Sequence, residues 1–84
     1  MQTQPQIPEE TIELWKNIVK KSNWRIVELP NGFYQTECLS SDKWEDVTRR
    51  ETVEGAERAI DSSIEHYKKK LKALEGPKVV KTFK

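Results

Sequence analysis

The sequence predicts an α+β fold: an N-terminal helix, a three-stranded antiparallel β-meander, a long C-terminal amphipathic helix and a short basic tail. Three observations carry that prediction. Val53, Ala56, Ile60, Ile64, Tyr67, Leu71 and Leu74 recur at steps of three and four, which places them on one helical face. Residues 24–49 just before them are rich in aromatic and β-branched types, a strand composition. Between Trp24 and Leu39 stands Leu29-Pro30-Asn31-Gly32, the strongest turn signal in the chain. The helical stripe needs a surface to cover, and the strands supply it.

The elements follow in order. Residues 1–7 (MQTQPQI) are polar and contain proline, as expected of a frayed end. Pro8 suits a first helical turn, where a missing N–H costs nothing. Glu9, Glu10 and Glu13 then sit near the positive end of the helix dipole, and Lys16, Lys20 and Lys21 near the negative end. Ile12, Trp15 and Val19 form the apolar stripe, so the first helix is predicted over 8–21, closed by Ser22-Asn23. Trp24 to Leu29 is the first strand. Pro at the second turn position and Gly at the fourth match a type I turn closed by a left-handed residue. Phe33 to Leu39 is the second strand, Ser40-Ser41-Asp42-Lys43 a second turn, and Trp44 to Arg50 a third, more polar strand. Thr52 is the expected helix cap. Glu54 and Glu57 come early in the long helix and Lys68, Lys69, Lys70 and Lys72 late, again matching the dipole. Gly76-Pro77 stops it. The tail, 77–84 (PKVVKTFK), interleaves lysines with Val79, Val80 and Phe83 and reads as a loose end or a short extra strand.

Pairing Leu29 with Phe33 puts Val27, Leu29 and Phe33 on one sheet face and Trp24, Ile26, Tyr34 and Cys38 on the other. Both faces are substantially apolar, so the long helix is expected to cover one and the first helix the other. A face left uncovered is a partner site. The expected core is Trp15, Trp24, Ile26, Val27, Tyr34, Trp44, Val47, Ala56, Ile60, Ile64, Tyr67 and Leu71. Gly55, near the start of the helix, implies that the helix passes close to a strand, under Trp24 or Trp44.

Composition bounds the function. Eighty-four residues at 35% hydrophobic and 35% charged make one small domain with a small core. The net charge of +1 draws the molecule to neither nucleic acid nor anionic lipid as a whole. A single cysteine, Cys38, allows no internal disulfide and suits a reducing compartment. There is no signal-peptide pattern and no apolar run of membrane-spanning length, so a cytoplasmic location is expected.

Catalytic chemistry has little to stand on. His66, with Ser62 and Ser63 one turn earlier, has a nucleophile–base spacing but no third group and no oxyanion donor, and reads as a solvated residue. One His and one Cys make no zinc site. Asp42, Glu45 and Asp46 lack the spacing and glycine of a calcium loop. Gly32, Gly55 and Gly76 are isolated, so no phosphate loop is present. No catalytic residue, metal or cofactor is assigned.

Binding is better served. Leu71 and Leu74 at the far helix end, with Val79, Val80 and Phe83, extend beyond what a short sheet can cover, and read as a surface for a protein partner or a homodimer. Charge offers an alternative. Residues 52–84 hold eight basic and five acidic residues, whereas 24–51 hold four basic and six acidic. Arg25, Arg49 and Arg50 on the strands, or Lys68, Lys69, Lys70 and Lys72 on the helix, are the residues that would neutralise phosphates.

Trp24-Arg25-Ile26 opening the first strand, Asn31-Gly32-Phe33-Tyr34 turning into the second, Trp44 opening the third, and Thr52-Val53-Glu54-Gly55-Ala56-Glu57-Arg58-Ala59 entering the helix form a familiar order. It resembles the three-strand-plus-helix DNA-binding domains of plant ethylene-response factors and of tyrosine-integrase arm-binding domains. The resemblance covers about half the chain and implies a sheet lying in the major groove, with Arg25, Arg49 and Arg50 at contact positions. Glu28, Glu37, Glu45 and Asp46 depart from it, because carboxylates there repel phosphate. The style of the chain is also similar to small accessory proteins of tailed phages, which would place it in a host cytoplasm. The function expected from the sequence is that of a non-catalytic interaction protein, encoded by a phage or mobile element, that binds a protein partner or itself.

Overall fold

The computed structural model describes residues 7–76 and 81–83. Helix α1 spans Glu9–Ile18, and a single 3-10 turn spans Lys21–Asn23. Strands β1 (Trp24–Glu28), β2 (Tyr34–Ser40) and β3 (Lys43–Arg50) follow, and then helix α2 (Val53–Leu74). The strands form one antiparallel sheet in the order β1-β2-β3. This is the predicted α+β architecture, with the long helix and the meander where the pattern placed them.

The first hairpin closes as the turn residues require. Gly32 N–H donates to the Leu29 carbonyl at 2.9 Å, and Leu29 N–H to the Phe33 carbonyl at 2.8 Å. Gly32 has φ +89°, open to glycine without strain. The Asn31 side chain accepts from Phe33 N–H at 3.1 Å. The second hairpin turns on Ser41 and Asp42, with Ser41 at φ +58°.

The long helix opens on Thr52, whose hydroxyl accepts from Gly55 N–H at 3.0 Å. It closes with Gly76 at φ +74°, donating to the Ala73 carbonyl at 3.3 Å. Its buried stripe is Ala56, Ile60 and Ile64. These press on the sheet face formed by Trp24, Ile26, Thr36 and Cys38. Thr36 is 1% exposed, and its hydroxyl lies 2.7 Å from that of Thr48 and accepts from Thr48 N–H at 3.1 Å. A β-bulge in β3, between the Thr36↔Thr48 and Glu37↔Asp46 pairs, leaves Val47 as the extra residue.

Four expectations need correction. The first helix ends at Ile18 rather than residue 21. Lys20 is extended (φ −88°, ψ 109°), and Asn23 Nδ2 bonds both the carbonyl and the Oδ1 of Asn17, which tucks the chain into the 3-10 turn. Second, α1 does not cover the second sheet face. It lies beside α2: Trp15 packs on Tyr67 with ring centroids 6.2 Å apart, and Trp24 Nε1 donates to the Ile18 carbonyl at 2.7 Å. Third, Val47 is 48% exposed because the bulge takes it out of the alternation. Val27 and Trp44, expected in the core, lie on the sheet face that neither helix covers. Fourth, a Cβ on Gly55 would stand 3.0 Å from Thr52 Oγ1 and 3.5 Å from the Arg50 Cβ, so the close approach is to the end of β3 and not to Trp24 or Trp44.

Candidate functional site

With both helices on one side, strand alternation leaves a second sheet face carrying Arg25 and Val27 from β1, Gln35, Glu37 and Leu39 from β2, and Trp44 and Arg49 from β3. The polar side chains there form a connected row. Arg25 Nε donates to Glu37 Oε1 at 2.7 Å, and its guanidinium carbon stands 4.2 Å from the centroid of the Trp44 ring. Gln35 Nε2 donates to the other Glu37 oxygen at 2.7 Å. Arg49 Nε donates to Gln35 Oε1 at 3.0 Å. Each member holds the next in one rotamer.

The electrostatics follow from this geometry. The Arg25 hydrogen bond, and next the Gln35 hydrogen bond, hold the Glu37 carboxyl below its ordinary value of 4.5. Arg25 remains half exposed, so the ion pair contributes only about 0.2–1 kcal/mol. Its stacking on Trp44 adds about 0.5–1 kcal/mol. Register places Asp46 opposite Glu37, so Arg25 and Arg49 are balanced by two carboxylates and the face as a whole is near neutral. Val27, Leu39 and Trp44, all half buried, frame the row with apolar surface.

The residues singled out from the sequence fall in separate places. Arg25 and Arg49 share the open face. Arg50 does not: its side chain lies against the start of α2 at Gly55, and its Nη1 donates to the Arg49 carbonyl at 2.9 Å. Lys68, Lys69, Lys70 and Lys72 are exposed on α2, which packs on the opposite face from that row, so no single surface unites the two basic groups. Lys70 is drawn onto the rings of Trp15 and Tyr67, at 5.0 and 5.4 Å. Of the apolar candidates, Leu71 is half buried, Leu74 is 41% exposed and Phe83 is 79% exposed. Val79 and Val80 lie outside the described residues.

Sequence reasoning did not place Gln35, Glu37 and Trp44 among the binding residues. Part of that was legible, since pairing Leu29 with Phe33 forces Arg25 opposite Glu37 and Val27 opposite Gln35. The rest was hidden by the bulge, which shifts β3 by one residue, so that only the folded register brings Arg49 to Gln35.

The catalytic candidates do not assemble. His66 is exposed, with its ring edge-on to Tyr67 at 5.1 Å. Cys38 is buried; loss of hydration, and secondarily the Glu45 charge, pushes its thiol above the ordinary 9.0, the reverse of an activated nucleophile. Among the described residues, no group of three or more His, Cys, Asp or Glu stands close enough to hold a metal ion, and no helix is long and apolar enough to cross a membrane. Compared with protein families, curated proteins and solved structures, the chain shows no match.

Proposed function

We propose that this chain is a non-catalytic interaction protein that binds a protein partner on the open face of its sheet. The observation that supports this most directly is the placement of both helices on one side. It leaves Trp44, Arg25 and Arg49, residue types that dominate binding hot spots, on an uncovered and already ordered surface. Ordering lowers the entropy cost of docking, because Arg25, Gln35 and Glu37 are held before any partner arrives. The row offers a partner both donors and acceptors, framed by apolar contact area.

A second reading, nucleic-acid binding, rests on the alignment of Arg49 with the Arg25–Trp44 stack on one face. It is the weaker one. Both guanidinium groups already donate to acceptors within the face, and Glu37 and Asp46 would confront phosphates.

The readings separate by photocrosslinking. A photoreactive residue at Val27 should yield protein adducts in the cells that make this chain, and Trp44→Ala should abolish them. The same residue at exposed Glu57 on α2 should not yield that adduct. Nucleic-acid adducts at Val27, with affinity falling steeply in salt, would install the second reading. Identical adducts from both positions would remove the open face as the site.

A further inference from the structure

A second surface lies on the helical side, where α1 meets the β2–β3 hairpin. There a hollow of about 260 Å³ is lined on its apolar side by Leu14, Ile18, Trp24, Cys38, Val47 and Tyr67. Leu14 and Val47 are also 45% and 48% exposed, two large aliphatic side chains left uncovered beside one opening. Acidic residues stand around it. Glu45 lines the hollow, and Glu9, Glu10 and Glu13 line the cleft that continues from it past Leu14, Asn17 and Ser40. Glu13 is shared with Lys16 at 3.6 Å, which leaves a clear acidic excess.

The chain carries a segment of opposite character. Residues 77–84 hold Lys78, Lys81 and Lys84, no acidic residue, and the apolar Val79, Val80 and Phe83. Phe83 is 79% exposed, with Lys81 Nζ 4.9 Å from its ring centroid. An apolar cavity of about 150 Å³ already admits a benzene ring, so the hollow has room for a benzyl side chain. A segment with an aromatic anchor and flanking lysines matches an apolar hollow with a carboxylate rim.

We propose that the hollow docks residues 77–84 of a second copy of this chain, with Phe83 inside and the lysines against Glu45 and the α1 carboxylates. The second copy, and not the same chain, supplies the segment because the chain's own Phe83 is 79% exposed and so does not fill its own hollow. Reciprocal exchange of two segments closes the pair as a two-fold dimer and stops it from growing into a chain. The proposal shares with the previous one the view of the chain as an interaction protein, but uses a different surface, so each fails on its own.

Sedimentation velocity of the full chain from micromolar to millimolar concentration, combined with methyl NMR of Leu14 and Val47, tests it. The expected result is a monomer–dimer equilibrium in which both methyl groups shift with concentration. Phe83→Ser should weaken dimerisation roughly tenfold or more, with an unchanged circular dichroism spectrum because Phe83 is 79% exposed in the monomer. Lys81→Glu should weaken it as well, and adding Glu45→Lys should restore part of the loss. Trp44→Ala should leave it unchanged, which separates this dimer from binding at the open sheet face. A mass that stays monomeric throughout, a dimer indifferent to Phe83→Ser, or a concentration-independent contact between Phe83 and Val47 within one chain would each overturn the proposal.

Discussion

Thr36 is the most informative single residue of the fold, a polar side chain 1% exposed at the centre of a thin core. Its hydroxyl meets Thr48 Oγ1 and also takes the Thr48 N–H at the bulge. Thr36→Val keeps the shape and leaves those groups unpaired, so it should cost about 1–3 kcal/mol in urea unfolding. Ser41 holds φ +58° at the first position of its hairpin turn, where glycine is preferred, and Ser41→Gly should raise stability by about 0.5–1 kcal/mol. Glu37 and Cys38 set the pH limits. The Glu37 carboxyl titrates lower in the folded state than its ordinary 4.5. Its contribution is whole above the unfolded value and is lost as pH falls through the folded one. The Cys38 thiol titrates above its ordinary 9.0. Its contribution is whole below that value and is lost as pH rises through the folded one. Unfolding followed across pH should show stability falling on both sides, with Glu37→Gln flattening the acid limb and Cys38→Ala the alkaline limb.

At the scale of elements, local chemistry decided which predictions held. The Pro30-Asn31-Gly32 hairpin and the Thr52 cap are written in residues three or four apart, and both formed as read. Thr52→Ala should cost about 1 kcal/mol of helix stability, measurable by thermal melting. Gly55→Ala gains helix propensity but drives a Cβ to 3.0 Å from Thr52 Oγ1, so it should gain less than a glycine-to-alanine change elsewhere in a helix. The early end of α1 was not legible, because Lys20 and Lys21 have good helix propensity. What ends the helix is tertiary: the Asn23 bonds to Asn17 and the tie from Trp24 to Ile18, made once β1 is in place. The bulge at Val47 was equally hidden, since an alternation pattern does not record which residue is skipped.

At the scale of the whole molecule, the choice between covering one sheet face or two decided which surface the helices leave open. Apolar residues on both faces suggested two covered faces, yet Trp15 found its partner in Tyr67 on α2, and the second face stayed open. Its row of Arg25, Glu37, Gln35 and Arg49 is a product of register, so the sequence supplied the residues but not their adjacency. The central claim, that this open face is the partner surface, is tested most directly by oxidative footprinting of Trp44. Its labelling in the cells that make the chain would be compared with that of the purified chain, with exposed His66 on α2 as the internal reference. A several-fold fall in Trp44 labelling in cells, with His66 unchanged, is the predicted result. Equal labelling of Trp44 in both settings would contradict the account.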